Sequence, residues 1–258
     1  MNRNLLRQLL VVAAVIATIA VNGLANALPI NGQTTGEVSD RFSVYFVPAG
    51  YVFSIWGLIY LGLIAYAIYQ ALPAQRNNAR LRSIDWPFVV SSLANIAWIF
   101  LWHYEQFVLT IVAMLVLLVS LILIYLRLDI GRSTTPAAER WLVHLPFSIY
   151  LGWITVATIA NITSVLDYVG WNGFGLSDEA WLVIMLAVAL VVAALMTWMR
   201  RDTAYLLVLV WAFTGIAVKF AGVAVVAPAA WAATAVVVLL TAASLVWRRP
   251  QRTSAPAI

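Results

Sequence analysis

Long apolar runs, each about the length of a bilayer crossing and divided by short polar segments, make up most of the chain. A helix needs roughly 20 mainly apolar residues to cross about 30 Å of hydrocarbon. Eight segments meet that demand, at approximately 5–28, 51–72, 86–102, 106–126, 141–162, 180–199, 203–221 and 229–247. Period-two alternation, the mark of a membrane β-barrel strand, is absent. The pattern predicts an all-α polytopic membrane protein with about eight transmembrane helices. Trp86-Pro87 suits proline in the first turn of the third helix, and Trp102-His103-Tyr104-Glu105 reads as a tight turn before the fourth.

Composition agrees and excludes other classes. Of 258 residues, 64% are apolar and 10% charged, against about 45–50% and about 25% in an ordinary soluble domain. With no cysteine, disulfides, thiolate nucleophiles and iron–sulfur ligation are ruled out. The formal net charge of +5 suggests a nucleic-acid binder until the cations are placed. With a cytoplasmic amino terminus, Arg3, Arg7, Arg76, Arg80, Arg82, Arg127, Arg132, Arg140, Arg200, Arg201, Arg248, Arg249 and Arg252 all fall on one side. Arg41 and Lys219 fall on the other, with Glu37, Asp40, Glu105, Asp167, Asp178 and Glu179. This is the positive-inside pattern. It supports eight spans with both termini cytoplasmic, and no nucleic acid is needed to explain the charge.

The first outer loop, residues 29–50, is turn-rich (Asn31-Gly32-Gln33-Thr34-Thr35-Gly36) and is read either as a lid over the outer mouth or as a solvated connector. Residues 73–85 read as a basic inner linker, and the polar tail after Trp247 as disordered. Arg3, Arg7, an apolar run and Ala25-Asn26-Ala27 also fit a cleaved signal peptide, although the run is long for one.

Soluble-enzyme signatures are missing: there is no phosphate-binding glycine loop, nucleophile elbow or zinc-binding H-E-x-x-H. His103 and His144 are expected at opposite membrane interfaces, which excludes a shared metal. Lys219, the sole lysine, is the one ionisable group expected inside a span. It either snorkels or serves a pocket. Trp86, Trp141, Trp171, Trp181, Trp198, Trp231 and Trp247 sit where interfacial belts are expected. Inside the spans, residues three or four apart share a helix face. Trp56 pairs with Tyr60; Asn95, Trp98 and Trp102 follow one another; Tyr150, Trp153, Ala157 and Asn161 form one stripe. These faces suit either helix packing with amide glue or an aromatic-walled cavity for a flat apolar ligand. Ala189, Ala193 and Thr197, with Ala230 and Thr234, read as packing stripes.

The run Pro48-Ala-Gly-Tyr-Val52-Phe53-Ser-Ile-Trp56-Gly-Leu-Ile-Tyr60 resembles the second-helix motif of the tryptophan-rich sensory protein (TspO/MBR, translocator protein) family. Asn95-Ile-Ala-Trp98 is similar to the family's third-helix pair. Tyr150, Trp153, Ala157 and Asn161 keep the spacing of its fifth helix, but Pro146 precedes Trp153 by seven residues where the family has four. The resemblance implies a five-helix bundle over 1–165, three added helices over 166–247 and a cytoplasmic tail over 248–258, as in a longer bacterial variant of the inner membrane. It also implies a pocket near the first loop for porphyrins, haem-like tetrapyrroles or sterol-like ligands, and a homodimer. Trp56 and Trp153 would stack on the ring, Asn95 and Asn161 would anchor polar edges, and Lys219 would meet a propionate. Light-dependent porphyrin breakdown is an enzymatic variant of that expectation, for which no catalytic acid or base is evident here. The rival reading is a structural or assembly subunit of a membrane complex, its aromatic faces filled by side chains.

Overall fold

The computed structural model describes residues 3–246; the expected disordered tail and Trp247 lie outside them. Eight long helices carry the fold: α1 (Arg3–Ala27), α2 (Ile55–Ala71), α3 (Ala79–His103), α4 (Phe107–Arg127), α5 (Leu145–Tyr168), α6 (Asp178–Met199), α7 (Thr203–Lys219) and α8 (Val226–Val246). No β-strand occurs among the described residues. Seven of the helical segments are long and apolar enough to cross a membrane, and α7, with 17 residues, is shorter. Leucines and valines such as Val112 and Val119 on α4 and Leu239 on α8 face outward. Hydrocarbon explains such a surface; water does not.

The helices run alternately up and down. At one end, here called the basic end, Arg80 meets Glu139 and Arg200 meets Asp129. At the other, the loop end, Arg41 meets Glu105 and Lys219 meets Asp40. Side-chain oxygens close several helix starts: Asn78 accepts from Arg80 and Leu81 on α3, Ser177 from Ala180 on α6, and Asp202 from Tyr205 on α7. Each satisfies main-chain N–H groups that have no partner inside the helix.

The third helix differs from expectation. It starts at Ala79, so Pro87 lies inside it and not in its first turn. Proline removes the N–H that would bond the carbonyl of Ser83, and Arg127 Nη1 on α4 donates to that carbonyl instead. The earlier start also carries Arg82 and Asp85, expected in a linker, onto a buried helix face. They pair at 3.1 Å, and Arg82 Nη2 donates to Gln70 Oε1 on α2 at 2.9 Å. Lys219 is therefore not the only ionisable group within the spans.

Both histidines, expected at the interfaces, are buried. His103 lies under the first loop, and His144 lies 3.7 Å from Glu139. Trp86, Trp141, Trp198 and Trp231 are exposed as a belt requires, whereas Trp171 and Trp181 pack on each other.

Buried residues of all eight helices form one continuous cluster that crosses position 165. Lipid tails offer no hydrophobic drive for helix association, so close packing and polar contacts hold such bundles. Gly62 on α2 lies against Pro146 on α5, where an added Cβ would stand 2.9 Å from the proline Cβ. Ala189, Ala193 and Thr197 on α6 and Ala230 and Thr234 on α8 are buried as packing positions. The α7 helix packs on α5 and α8, and α8 in turn on α6.

Candidate functional site

Where α2, α3, α4 and α5 converge toward the loop end, they enclose a cavity of ≈ 60 Å³. The helical spacing of the aromatic stripes brings Trp56, Trp98, Trp102 and Trp153 to its wall, with Phe53 beside them. Trp56 and Trp153 meet edge to face, with centroids 6.3 Å apart at 83°, and Phe53 meets Trp153 at 5.7 Å and 84°. Trp98 and Trp102 stack at 5.1 Å and 17°. Both arrangements are favoured by aromatic quadrupoles.

Of the predicted site residues, Trp56, Asn95, Trp98, Trp153, Ala157 and Asn161 line the cavity. Tyr60 and Tyr150 stand behind the wall. Tyr60 stacks on Trp56 at 5.6 Å, and Tyr150 is buried with its ring 5.9 Å from Trp56. Lys219 is not brought to the cavity; its Nζ lies 2.9 Å from Asp40 Oδ1 and ties the first loop to α7. Pro146 sits against Gly62, so the altered spacing to Trp153 leaves the wall residues of α5 in place.

The two amides are already engaged. Asn95 Oδ1 accepts from Asn22 Nδ2 on α1 at 2.7 Å, and Asn95 Nδ2 donates to the Tyr150 hydroxyl at 3.3 Å. Asn161 Nδ2 donates to Thr110 Oγ1 on α4 at 2.8 Å. The Thr110 hydroxyl in turn has two acceptors in reach, the Phe107 carbonyl and Asn161 Oδ1 at 3.2 Å. The indole N–H groups of Trp98 and Trp153 have no acceptor, although both are buried. A buried donor left unpaired costs about 1–3 kcal/mol, and both of these belong to residues that line the cavity.

Further wall comes from Met114 and Leu117 on α4 and from Ile154 and Ala160 on α5, and part of it from segments without periodicity. Thr35 and Ser39 belong to a short helix, Thr35–Ser39, in the first loop, and Val47 and Pro48 to the lead-in to α2. Thr34 and Glu37 form a reciprocal capping box that starts the short helix. Its other anchors come from the end of α3. Trp102 Nε1 donates to the Thr35 carbonyl at 3.2 Å, and Asn31 Nδ2 donates to the His103 carbonyl at 3.0 Å. His103 Nδ1 lies 3.0 Å from the Ile30 carbonyl, which can only accept, so the proton sits on Nδ1. In the neutral ring Nε2 then accepts from Thr35 Oγ1 at 3.0 Å. Sequence reading missed His103 as a clamp on this loop; its place directly after Trp102 on the cavity helix was the available signal.

Around this loop the carboxylates behave as their contacts dictate. The Arg41 guanidinium, bonded at 2.6 Å, holds Glu105 below the usual carboxylate range. Hydrogen bonds from the Thr34 main chain and hydroxyl do the same for Glu37. The described residues hold no cluster of three or more ligating side chains that would suit a metal ion.

Comparison with curated proteins and with solved structures found no match. The model of one family, described as TSPO-like protein, matches residues 8–243. That span reaches from the first turns of α1 into the last turn of α8 and includes every wall residue of the cavity, and the chain belongs to the TSPO-like protein family.

Proposed function

We propose that this membrane protein binds a flat, largely apolar ligand between the Trp56–Trp153 and Trp98–Trp102 faces, and that a porphyrin or related tetrapyrrole is the ligand class. The observation that carries the reading is the convergence of Trp56, Trp98, Trp102 and Trp153 on one cavity, with the buried indole N–H groups of Trp98 and Trp153 left without an acceptor. A ring with acceptors on its edge, such as propionates, would satisfy them. Sensing, sequestration or transport would each begin with that capture.

Small-molecule pockets run to about 300–1,000 Å³, so a cavity of ≈ 60 Å³ admits a tetrapyrrole only when the first loop lifts. The loop is held by polar contacts, His103 to Thr35 and Ile30, Arg41 to Glu105, and Lys219 to Asp40, and by Val38 and Phe42 packed on Trp102 and Phe107, all of which such a motion must release. In this reading Lys219 is a latch that becomes available to an anionic edge once Asp40 lets go. The cation distribution favours the basic end, with both termini, in the cytoplasm of a bacterial inner membrane.

One observation favours the second reading, a structural or assembly subunit: the cavity is small because side chains fill most of it. Titration of the detergent-solubilised protein with protoporphyrin IX, read by tryptophan quenching and Soret shift, separates the two. Saturable binding that Trp56→Phe and Trp153→Phe both weaken supports the pocket. A folded sample without saturable binding overturns it and leaves the assembly reading.

A further inference from the structure

A second and larger cavity, of ≈ 280 Å³, opens at the loop end between the first loop, the end of α5 and the start of α6. The α5–α6 turn and α6 belong to the part of the chain beyond residue 165, so the Trp–Asn–Trp stripes play no part in it. Aliphatic residues such as Leu166, Leu182 and Met185 form much of its wall, and an aromatic and acidic group completes it. Tyr45, Trp171 and Trp181 line it together with the carboxylates of Asp167 and Asp178, and no Lys, Arg or His does.

The aromatic side is a built feature. Trp171 and Trp181 lie with centroids 4.8 Å apart at 56°, and Trp181 Nε1 donates to the Gly173 carbonyl at 2.8 Å. Gly173 has φ +60, and a Cβ there would stand 2.8 Å from Trp181 Nε1. Only glycine allows both that backbone and that approach. With its N–H edge fixed on the turn, the Trp181 indole keeps a constant position beside the cavity, and Trp171 packs on it.

The acidic side is not explained by local structure alone. Asp178, in the first turn of α6, suits the positive end of that helix dipole. Asp167 does the opposite: it stands in the last turn of α5, where the dipole already concentrates negative charge. Its Oδ2 accepts from the Ser43 N–H at 3.3 Å, and no cation pairs with it. Glu179 lies 3.4 Å from the hydroxyl of the wall residue Tyr45. Arg41 and Lys219, the Lys and Arg of this end among the described residues, are taken by Glu105 and Asp40. Carboxylates without a cationic partner among the described residues, beside indoles, are complementary to an organic cation, and aromatic cages are a recurring means of recognising quaternary ammonium groups.

We propose that this cavity is a binding site for a small quaternary-ammonium cation, held by cation–π contact with Trp171 and Trp181 and by the charges of Asp167 and Asp178. It is independent of the tetrapyrrole reading and uses none of the wall residues of the first cavity. The chemistry is shared by free organic cations and by the choline headgroup of a lipid.

Calorimetric titration of the full chain in an uncharged maltoside detergent, with benzyltrimethylammonium as the probe, tests the site. Saturable binding is expected, with neopentylbenzene, the uncharged isostere, at least tenfold weaker. Asp167→Asn with Asp178→Asn, both at exposed residues, should weaken the cation at least tenfold while the melting temperature stays within a few degrees. Trp231→Leu, at an exposed indole of α8 outside both cavities, should leave its affinity unchanged. Equal binding of the isostere, an unaltered affinity in the double variant, or no saturable binding by folded protein overturns the proposal. In lipid nanodiscs, competition by phosphatidylcholine against a phosphatidylglycerol background assigns the site to the headgroup. Its absence, with the probe still bound, assigns the site to a free cation.

Discussion

The indole Nε1 of Trp211 on α7 donates to the main-chain carbonyl of Val52 across 3.0 Å, and so fixes the lead-in to α2 from behind. One turn further along α7, the Gly215 carbonyl accepts from the Ala49 N–H at 3.2 Å. A Cβ on Gly215 would stand 2.2 Å from Val52 Cγ2 and 3.1 Å from Pro48 Cβ. A helix beyond residue 165 thus holds Pro48 and Phe53 against the first cavity. Gly215→Ala must displace Val52, an overpacking that typically costs about 1–3 kcal/mol. A lower melting temperature together with weaker porphyrin binding is expected. Trp211→Phe removes one hydrogen bond, worth about 1 kcal/mol, and should act in the same direction but less.

Asn22 and Asn95 join α1 to α3 through a 2.7 Å hydrogen bond buried in the bundle. Polar contacts between membrane helices average about 0.6 kcal/mol and reach about 1.7. A double-mutant cycle of Asn22→Ala and Asn95→Ala, followed by unfolding in mixed micelles, should give a favourable coupling within that range. Zero coupling would mean that Asn95 is held by Tyr150 alone.

The spans were legible because hydrocarbon demands unbroken apolar length, and the stripe through Tyr150, Trp153, Ala157 and Asn161 because helix periodicity is local. The start of α3 was not. Arg80, Arg82 and Asp85 looked like a solvated linker, since their partners Glu139 and Gln70 are distant in sequence and only the fold brings them near. Thr35, Ser39, Val47 and Pro48 were invisible as wall residues because a loop has no period from which to read a face. Met114 and Leu117 line the cavity too, but nothing distinguishes them within the continuous apolar run of α4. For Trp171 and Trp181 a surface belt was the default, and only the turn at Gly173 redirects them.

Arg82 and Asp85 are buried together about two turns into α3, with little hydrogen-bond alignment between them. Removing one partner of a buried pair leaves an uncompensated charge and costs about 3–5 kcal/mol, whereas replacing both by apolar residues of similar size is often neutral. Asp85→Ala should therefore destabilise strongly, and Arg82→Met with Asp85→Leu much less, in the same unfolding assay. Equal losses in the two variants would show that Arg82 is held chiefly by Gln70.

The first loop should loosen in acid. Glu37 and Glu105 are both held below the ordinary carboxylate range by contacts made only in the folded loop. A depressed pKa contributes stability above the unfolded value, about 4.3 for Glu, and loses it as pH falls through the folded value. Limited proteolysis within residues 31–42 with pepsin should accelerate as pH is lowered from about 4.5 toward 3. Glu105→Gln should be fast across that whole range. His103→Ala, which removes the clamp on Thr35 and Ile30, should expose the same segment to a neutral protease at pH 7.

Trp153 separates stability from binding. Its ring is buried at 2% exposure and packs edge to face on Phe53 and Trp56, yet its N–H has no acceptor. Trp153→Phe removes an unpaired donor whose burial is unfavourable, and also some ring area whose packing is favourable. With donor desolvation at about 1–3 kcal/mol and a loss of a few methylene equivalents at about 0.8 kcal/mol each, the two nearly cancel. The melting temperature of the ligand-free protein should stay within a few degrees of wild type, while affinity for protoporphyrin IX falls about tenfold as one hydrogen bond and stacking area are lost. A large drop in stability would mean that the indole serves packing first. Unchanged affinity would take its N–H out of the ligand's reach.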